Sequence, residues 1–380
     1  MTAMPDQTTP QTLGQLLRQL DAEGVTDYRR YQAVKRYLDF KARKKGIPIL
    51  GTFELTPLCN LDCKMCYVHL NKDQMQGASL LSVDQWKSIM DQAIQAGMMY
   101  ARITGGECLT YPGFREIYLY LRSRGIETSI LSNGTLMDRD MVAFFRENKP
   151  AAIQITIYGA SEDGYERVTG HRRFSIVMEN VRRLREAGVP VVLVTTPNAF
   201  MTDGEQIVEL IHSMGLPVNV NAGLMNPREE TGRGVYDMSL DAYIAMMKLR
   251  RKLQGGTVEE MLDSEELPSP GGHGSAADGV VCGAGMSCFS VDWRGGMMPC
   301  SCFPTPPESV LRYGFAEAWR RTHATASRFP RPAECEGCRY QSVCKYCVAE
   351  HAAGAPCGHA SPKICAWGRR VVREGLRKLP

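Results

Sequence analysis

The 380-residue sequence has no uninterrupted apolar run of membrane-spanning length. Its start, Met1 to Gln15, lacks the apolar core of a secretory signal. Both absences point to a cytoplasmic protein with no membrane partner. A strong charge imbalance is missing as well. The chain carries 45 Lys and Arg against 41 Asp and Glu, a net charge of +4, which is too small at this length to imply nucleic-acid binding. The basic runs Arg43-Lys44-Lys45 and Arg369-Arg370 read as solvated faces. What the chain has in quantity is cysteine. Fourteen cysteines in a reducing compartment are thiols or metal ligands rather than disulfides.

The length allows two or more domains. Residues 1–48 read as an N-terminal helical extension, with helices over 12–22 and 27–45. In the second, Tyr31, Val34, Tyr37, Leu38 and Lys41 recur at a three-four spacing and are expected to pack against the next domain. From Gly51 strand-like runs alternate with helices. The strand candidates are 51–56, 100–104, 127–131, 152–157, 189–194 and 218–222. Ser82 is placed to cap a helix carrying Trp86, Ile89, Met90, Ala93 and Ile94. Pro112 opens the next helix and Gly125 closes it, while Asp138, Ser175 and Asp203 are further candidate caps. The helix after Ser175 would bury Val177, Val181 and Leu184. Residues 49–253 are therefore expected to form an α/β unit, a partial (β/α)6 barrel with its active site at the C-terminal ends of the strands. Residues 254–280, rich in Gly, Ser, Pro and Glu, read as a linker. Ten of the fourteen cysteines lie beyond it, so 281–368 is expected to be a Cys-rich iron–sulfur domain, with a tail over 369–380.

The pattern with most chemical content is Cys59-x3-Cys63-x2-Cys66, just after the first strand. A cubane 4Fe–4S cluster normally takes one thiolate per iron. Three thiolates leave one iron open, and open coordination marks a reactive metal site rather than a structural one. This loop resembles the cluster loop of the radical S-adenosylmethionine (SAM) superfamily. The resemblance extends to Gly105-Gly106-Glu107 after the second strand. It implies that the open iron chelates SAM, whose reductive cleavage yields methionine and a 5′-deoxyadenosyl radical. It further implies SAM contacts from Gly105, Gly106 and Glu107, with Glu107 an acceptor for the SAM ammonium. Ser132 and Asn133 after the third strand, Thr156 at the end of the fourth, and Arg172 or Arg167 are further candidates. Pro197 and Asn198 would border the adenine. One departure is Met65 where the family usually has an aromatic residue; Tyr67 comes after the third cysteine instead.

The later cysteines resemble the SPASM domain, the auxiliary-cluster extension of many peptide-modifying radical SAM enzymes. By that resemblance Cys282, Cys288, Cys300 and Cys347 bind one 4Fe–4S cluster, and Cys335, Cys338, Cys344 and Cys365 a second. The gap before Cys347 is one residue shorter than usual. Paired Cys-x2-Cys units also make structural zinc sites, which is the alternative. Cys108, Cys302 and Cys357 are left over. Cys108 reads as a buried structural thiol and Cys302 as an alternative to Cys300. His351 and His359 are weaker alternative ligands.

The resemblance implies an enzyme that binds SAM and three 4Fe–4S clusters. It would draw electrons from a donor such as flavodoxin or ferredoxin and oxidatively modify or cross-link a peptide or protein. Ser301 stands where sulfatase maturases carry an Asp proposed as general base, which favours peptide maturation over formylglycine formation. The segment before Gly51 is too short for a full leader-recognition domain. A small-molecule dehydrogenase, and a non-enzymatic electron-transfer or regulatory protein, are the remaining alternatives. The residues leave the substrate and the catalytic base unnamed.

Overall fold

The computed structural model describes residues 12–22, 27–198, 200–220, 227–228, 240–253, 280, 282–340, 344, 347–352, 355–356, 358–375 and 379. Most of the expected linker, the start of the chain up to Gln11, and Cys357 lie outside the described residues.

Helices α1 (Leu13–Ala22) and α2 (Asp27–Lys45) precede strand β1 (Leu50–Glu54). Strand and helix then alternate through α3 (Val83–Gln95), β2 (Tyr100–Thr104), α4 (Phe114–Ser123), β3 (Glu127–Ser132), α5 (Arg139–Glu147) and β4 (Ala152–Thr156). Two helices, α6 (Glu162–Thr169) and α7 (Phe174–Glu186), lead to β5 (Val191–Thr195), and then come α8 (Gly204–Met214), β6 (Val218–Val220) and α9 (Leu240–Leu253). Strands β1 to β6 are parallel neighbours in sequence order. The strand order is linear rather than circular, so the sheet is a partial barrel with β6 at one edge.

The other edge is built from the C-terminal segment. Strand β7 (Cys288–Val291) pairs parallel to β1, and β8 (Gly296–Met298) and β9 (Glu308–Ser309) extend the sheet antiparallel. The sheet thus runs across the boundary expected at 280–281. The reason is visible at Gly51 and Phe53. Phe53 meets Trp86 of α3 and Phe289 of β7 edge-on, at ring distances of 6.0 and 5.9 Å. A Cβ at Gly51 would lie 2.6 Å from the Phe289 ring, so glycine is what lets β7 dock. With a period of two, Gly51, Phe53 and Leu55 face the helices, while Thr52 and Glu54 face the interior of the curve. Short helices α10 (Val310–Tyr313), α11 (Phe315–Ser327), α12 (Val348–Ala352) and α13 (Pro362–Arg373) complete the chain.

Local signals were legible where partners are close in sequence. Ser82 caps α3 in a reciprocal capping box with Gln85, and Asp138 caps α5. Ser82→Ala is expected to cost about 1 kcal/mol, read as a lower urea midpoint with unchanged slope. Ser175 is not a cap. Helix α7 begins one residue earlier, and the N–H groups of Phe174 and Ser175 donate to the Glu162 carboxylate at 3.1 and 2.8 Å. Asp203 likewise leaves its own helix uncapped and accepts from the Ala160 N–H at 2.8 Å. Tyr31 is 39% exposed, and its hydroxyl reaches the following unit by donating to Glu127 of β3. Among the described residues no helix is long and apolar enough to cross a membrane.

Candidate active site

Because β1 to β5 are parallel, Glu54, Thr104, Ser132, Thr156 and Thr195 all end at one side of the sheet. The Cys59–Cys66 loop crosses that side. The N–H groups of Asp62 and Lys64 donate to the carbonyls of Thr169 and Val168 at the end of α6, both at 3.0 Å. The Cys66 N–H closes a turn onto the Cys63 carbonyl at 3.0 Å. Leu61, Cys63, Met65 and Val168 form a small apolar cluster, with Cys59, Cys66, Tyr158 and Phe200 packed against it. Met65 therefore supplies apolar wall. Tyr158 has all three cysteines as neighbours: burial pushes its phenol well up, and Cys63, Cys59 and Cys66 add to the shift.

The sulfurs are presented as acceptors. Cys59 Sγ accepts from the Leu61 N–H at 3.4 Å and from Asn133 Nδ2 at 3.7 Å, and Cys66 Sγ from the His69 N–H at 3.3 Å. Burial still pushes the Cys59 thiol up to about 12, with Glu107 and Cys66 reinforcing it and those donors opposing. A bound metal would overcome that, since coordination deprotonates a thiol outright. Three thiols at one strand end, with N–H groups aimed at two sulfurs, fit an iron–sulfur cluster.

Gly105 and Gly106 are where the second loop crosses the first. A Cβ at Gly105 (φ +150°) would lie 2.4 Å from the Thr56 carbonyl oxygen, and one at Gly106 would lie 2.4 and 2.6 Å from those of Leu58 and Pro57. The Gly106 and Glu107 N–H groups donate to the Thr56 and Leu58 carbonyls at 2.7 and 2.8 Å. Side chains are excluded here because backbone meets backbone. Glu107 is fully buried. Its carboxylate accepts from Ser132 Oγ at 3.0 and 3.1 Å, from the Asn133 N–H at 2.8 Å and from the Leu109 N–H at 3.1 Å. Burial raises its pKa, and these donors oppose the rise. The structure thus places Glu107 as a brace between the loops after β2 and β3, which in turn sets Asn133 against Cys59. Asn133 also donates to Asn60 Oδ1 at 2.9 Å.

The other sequence candidates are spread more widely. The Thr156 carbonyl accepts from the Tyr165 hydroxyl at 3.2 Å. Asn198 is buried in a local turn, donating to the Thr196 carbonyl at 2.9 Å. Arg167 is exposed in the last turn of α6. Arg172 is also exposed, and its guanidinium is engaged by Asp163 and Glu166 of α6 at 2.5 and 3.1 Å. Cys108 is buried, with its thiol on the Leu131 carbonyl at 3.4 Å, and burial beside Glu107 holds its pKa well up.

The later cysteines gather in two groups. Cys300 is pushed up to about 12, by burial first and then by Cys282, Cys347 and Cys288 around it. Cys335, Cys338, Cys344 and Cys365 line one cavity of about 330 Å³, together with His351 and Gly368. Cys344 is pushed up to about 11, again by burial and then by the other three thiols. Four thiols around a cavity of that size are a donor set that fits a second cluster. Among the described residues no group of His, Cys, Asp or Glu is drawn in around a single metal ion.

Residues 53–216 match the family model described as the radical SAM superfamily. The chain carries a radical SAM domain. Over 350 residues it is 23% identical to the antilisterial bacteriocin subtilosin biosynthesis protein AlbA of Bacillus subtilis, covering 88% of this chain and 74% of AlbA. It is 24% identical to the AdoMet-dependent heme synthase of Methanosarcina barkeri, covering 80% of this chain and 91% of that one. The crystal structure of Streptococcus suis SuiB bound to S-adenosylmethionine superposes with a TM-score of 0.65 at 15% identity, covering 92% of this chain and 87% of SuiB. That likeness shows a shared fold.

Beside this domain's first loop lies a polar group that sequence reasoning missed. Glu54, 3% exposed, is paired with Arg228. Tyr67, Cys302 and Asp292 surround the pair. Burial pushes Tyr67 well up, and Cys302 and Glu54 add to it. Burial also raises Asp292, while the Gly296 and Arg294 N–H groups oppose the rise. Burial alone would lower Arg228, but Glu54 outweighs it and holds the guanidinium above its usual range. The one available signal was a lone acidic residue at the end of an otherwise buried strand.

Proposed function

We propose that the protein cleaves S-adenosyl-L-methionine reductively and uses the 5′-deoxyadenosyl radical to modify or cross-link a peptide or protein oxidatively. The observation that carries this is the convergence of Cys59, Cys63 and Cys66 with Asn133 and Tyr158 at the C-terminal side of the sheet of a radical SAM domain. A 4Fe–4S cluster on the three thiolates would supply the cleaving electron and an open iron for SAM. The chain's own residues do the rest. The Leu61, His69 and Asn133 N–H groups stabilise charge on sulfur. Met65, Tyr158 and Phe200 keep water from the reacting centre. Glu107 acts by holding the two loops in register, and Ser132 and Asn133 take their places from it.

An oxidation balances if the substrate gives a hydrogen atom to the radical, forming 5′-deoxyadenosine, and then releases one proton and one electron. Two further 4Fe–4S clusters, on Cys282, Cys288, Cys300 and Cys347 and on Cys335, Cys338, Cys344 and Cys365, would accept that electron. A flavodoxin or ferredoxin would supply the reducing one. A peptide substrate is supported by AlbA's role in bacteriocin biosynthesis and by SuiB, which has been crystallised with its precursor peptide SuiA. The similarity to a heme synthase over 80% of the chain favours a small-molecule oxidation as the second reading.

The test is anaerobic reconstitution, reduction with dithionite, and assay for 5′-deoxyadenosine. A protein with full iron and sulfide that makes none would refute SAM cleavage. Cys335→Ala is expected to keep deoxyadenosine formation while losing substrate conversion; normal conversion in a folded variant would remove the auxiliary clusters from turnover. Mass shifts in candidate peptides, set against oxidation of porphyrin precursors, separate the two substrate classes.

A further inference from the structure

One residue ties the two cysteine regions together. Arg228 Nη1 and Nη2 donate to Glu54 Oε2 and Oε1, both at 2.8 Å. Nη2 also donates to the Ser301 carbonyl at 3.1 Å, and the Arg228 N–H donates to the Tyr67 carbonyl at 3.1 Å. Tyr67 is the residue after Cys66, and Ser301 the residue after Cys300. Arg228 therefore bonds to the backbone beside the third cysteine of the first loop and beside the third cysteine of the first C-terminal group. Its anchor, Glu54, is fixed by the pairing of β1 with both β2 and β7.

A bidentate guanidinium–carboxylate pair fixes orientation as well as distance. Its burial is not explained by stability, because a buried ion pair seldom outperforms apolar side chains of similar volume. What an apolar side chain at 228 could not do is bind the Ser301 carbonyl and the Glu54 carboxylate at once, and so fix them relative to the Tyr67 carbonyl that the Arg228 main chain holds. Cys302, the leftover thiol of the C-terminal group, sits beside the pair and adds no competing cation.

We propose that Arg228 is a positioning residue that sets the separation and orientation of the SAM-cleaving centre relative to the first auxiliary centre. This rests on the assignment of those two centres in the proposed function. Loosening the tie would leave SAM cleavage in place and lower the efficiency with which each radical event becomes product. A displacement near 1 Å at a reacting geometry costs up to about 100-fold, so a loss of about tenfold is a moderate expectation.

The experiment compares Arg228→Gln, Arg228→Lys and the double variant Glu54→Gln/Arg228→Gln, which avoids leaving an unpaired buried carboxylate. Each is reconstituted, its iron counted, and its reduced clusters examined by electron paramagnetic resonance for magnetic interaction between centres. Product formed per deoxyadenosine is measured alongside. With iron intact, the Gln and double variants are expected to lose about tenfold in product per deoxyadenosine and to show an altered inter-cluster interaction. Arg228→Lys, which keeps the charge but not the fork, should fall between them and the parent. An unchanged ratio with an unchanged spectrum would overturn the proposal. So would loss of iron from every centre in all three variants, which would make Arg228 a general brace of the fold. If the parent protein forms no deoxyadenosine, the proposed function fails, while the magnetic interaction still decides the positioning role.

Discussion

Cys63→Ala is expected to reduce 5′-deoxyadenosine formation to background, a fall on the order of a thousandfold or more. Cys63 is buried between Leu61 and Met65, and its backbone carbonyl receives the Cys66 N–H. Removing its sulfur takes away one of the three thiols of the loop. Iron at this loop should fall with activity, while iron at the two C-terminal groups stays. Cys108→Ala is the control. That thiol is equally buried, but it bonds to the Leu131 carbonyl and its pKa is held well up by burial and Glu107, so it remains a protonated filler. Its loss should cost about 1 kcal/mol of packing and leave most of the deoxyadenosine yield. Cys63→Ala with parental yield and parental iron would show that the cluster is held elsewhere.

The second large effect is expected at Gly106. Gly106→Ala would put a methyl group 2.4 Å from the Leu58 oxygen and 2.6 Å from the Pro57 oxygen. Both are backbone atoms of the segment that leads into Cys59, so no side chain can swing aside. The two loops must separate, at a cost of about 3 kcal/mol, with an apparent melting temperature on the order of 5 °C lower. The Gly106 and Glu107 N–H bonds to Thr56 and Leu58 would stretch with that separation. Iron retention in the first loop should therefore fall further than overall stability. Gly77→Ala separates this clash from glycine's backbone freedom. Gly77 has φ +75° but nothing within 4 Å of its would-be Cβ, so it should lose only about 1 kcal/mol and no iron. Equal iron loss in both variants would show that the crossing of the loops is not what holds the iron.

The readable parts of the sequence are those whose partners lie nearby in the chain. Alternating strands and helices, Ser82 and Asp138 as caps, and the buried face of Val177, Val181 and Leu184 all depend on neighbours a few residues apart. Ser175 and Asp203 depart from expectation for the opposite reason. Each has its decisive partner elsewhere in the fold, the helix of Ser175 being capped by Glu162 and the Asp203 carboxylate accepting from the Ala160 N–H. Glu107 likewise has partners that the chain order does not announce: its carboxylate accepts from Ser132 Oγ and the Asn133 N–H of the loop after β3.

By itself, the sequence determined the kind of chemistry the chain can hold. Thiol spacing within a short loop is a local property, since the few residues between one cysteine and the next limit how far apart their sulfurs can lie. The Gly105-Gly106 pair belongs with it, because only glycine tolerates a carbonyl oxygen at the place of its Cβ. Tertiary structure alone decided how the cysteine regions relate. Strand β7 joins the sheet at β1 because the Phe289 ring fits over Gly51. Arg228 reaches Glu54 across 174 residues of chain, and only the folded sheet brings both to the side where the Cys59 loop lies. A spacing can be read along the chain; a bond between elements far apart in it exists only once the packing of β1 against β2 and β7 has placed its ends.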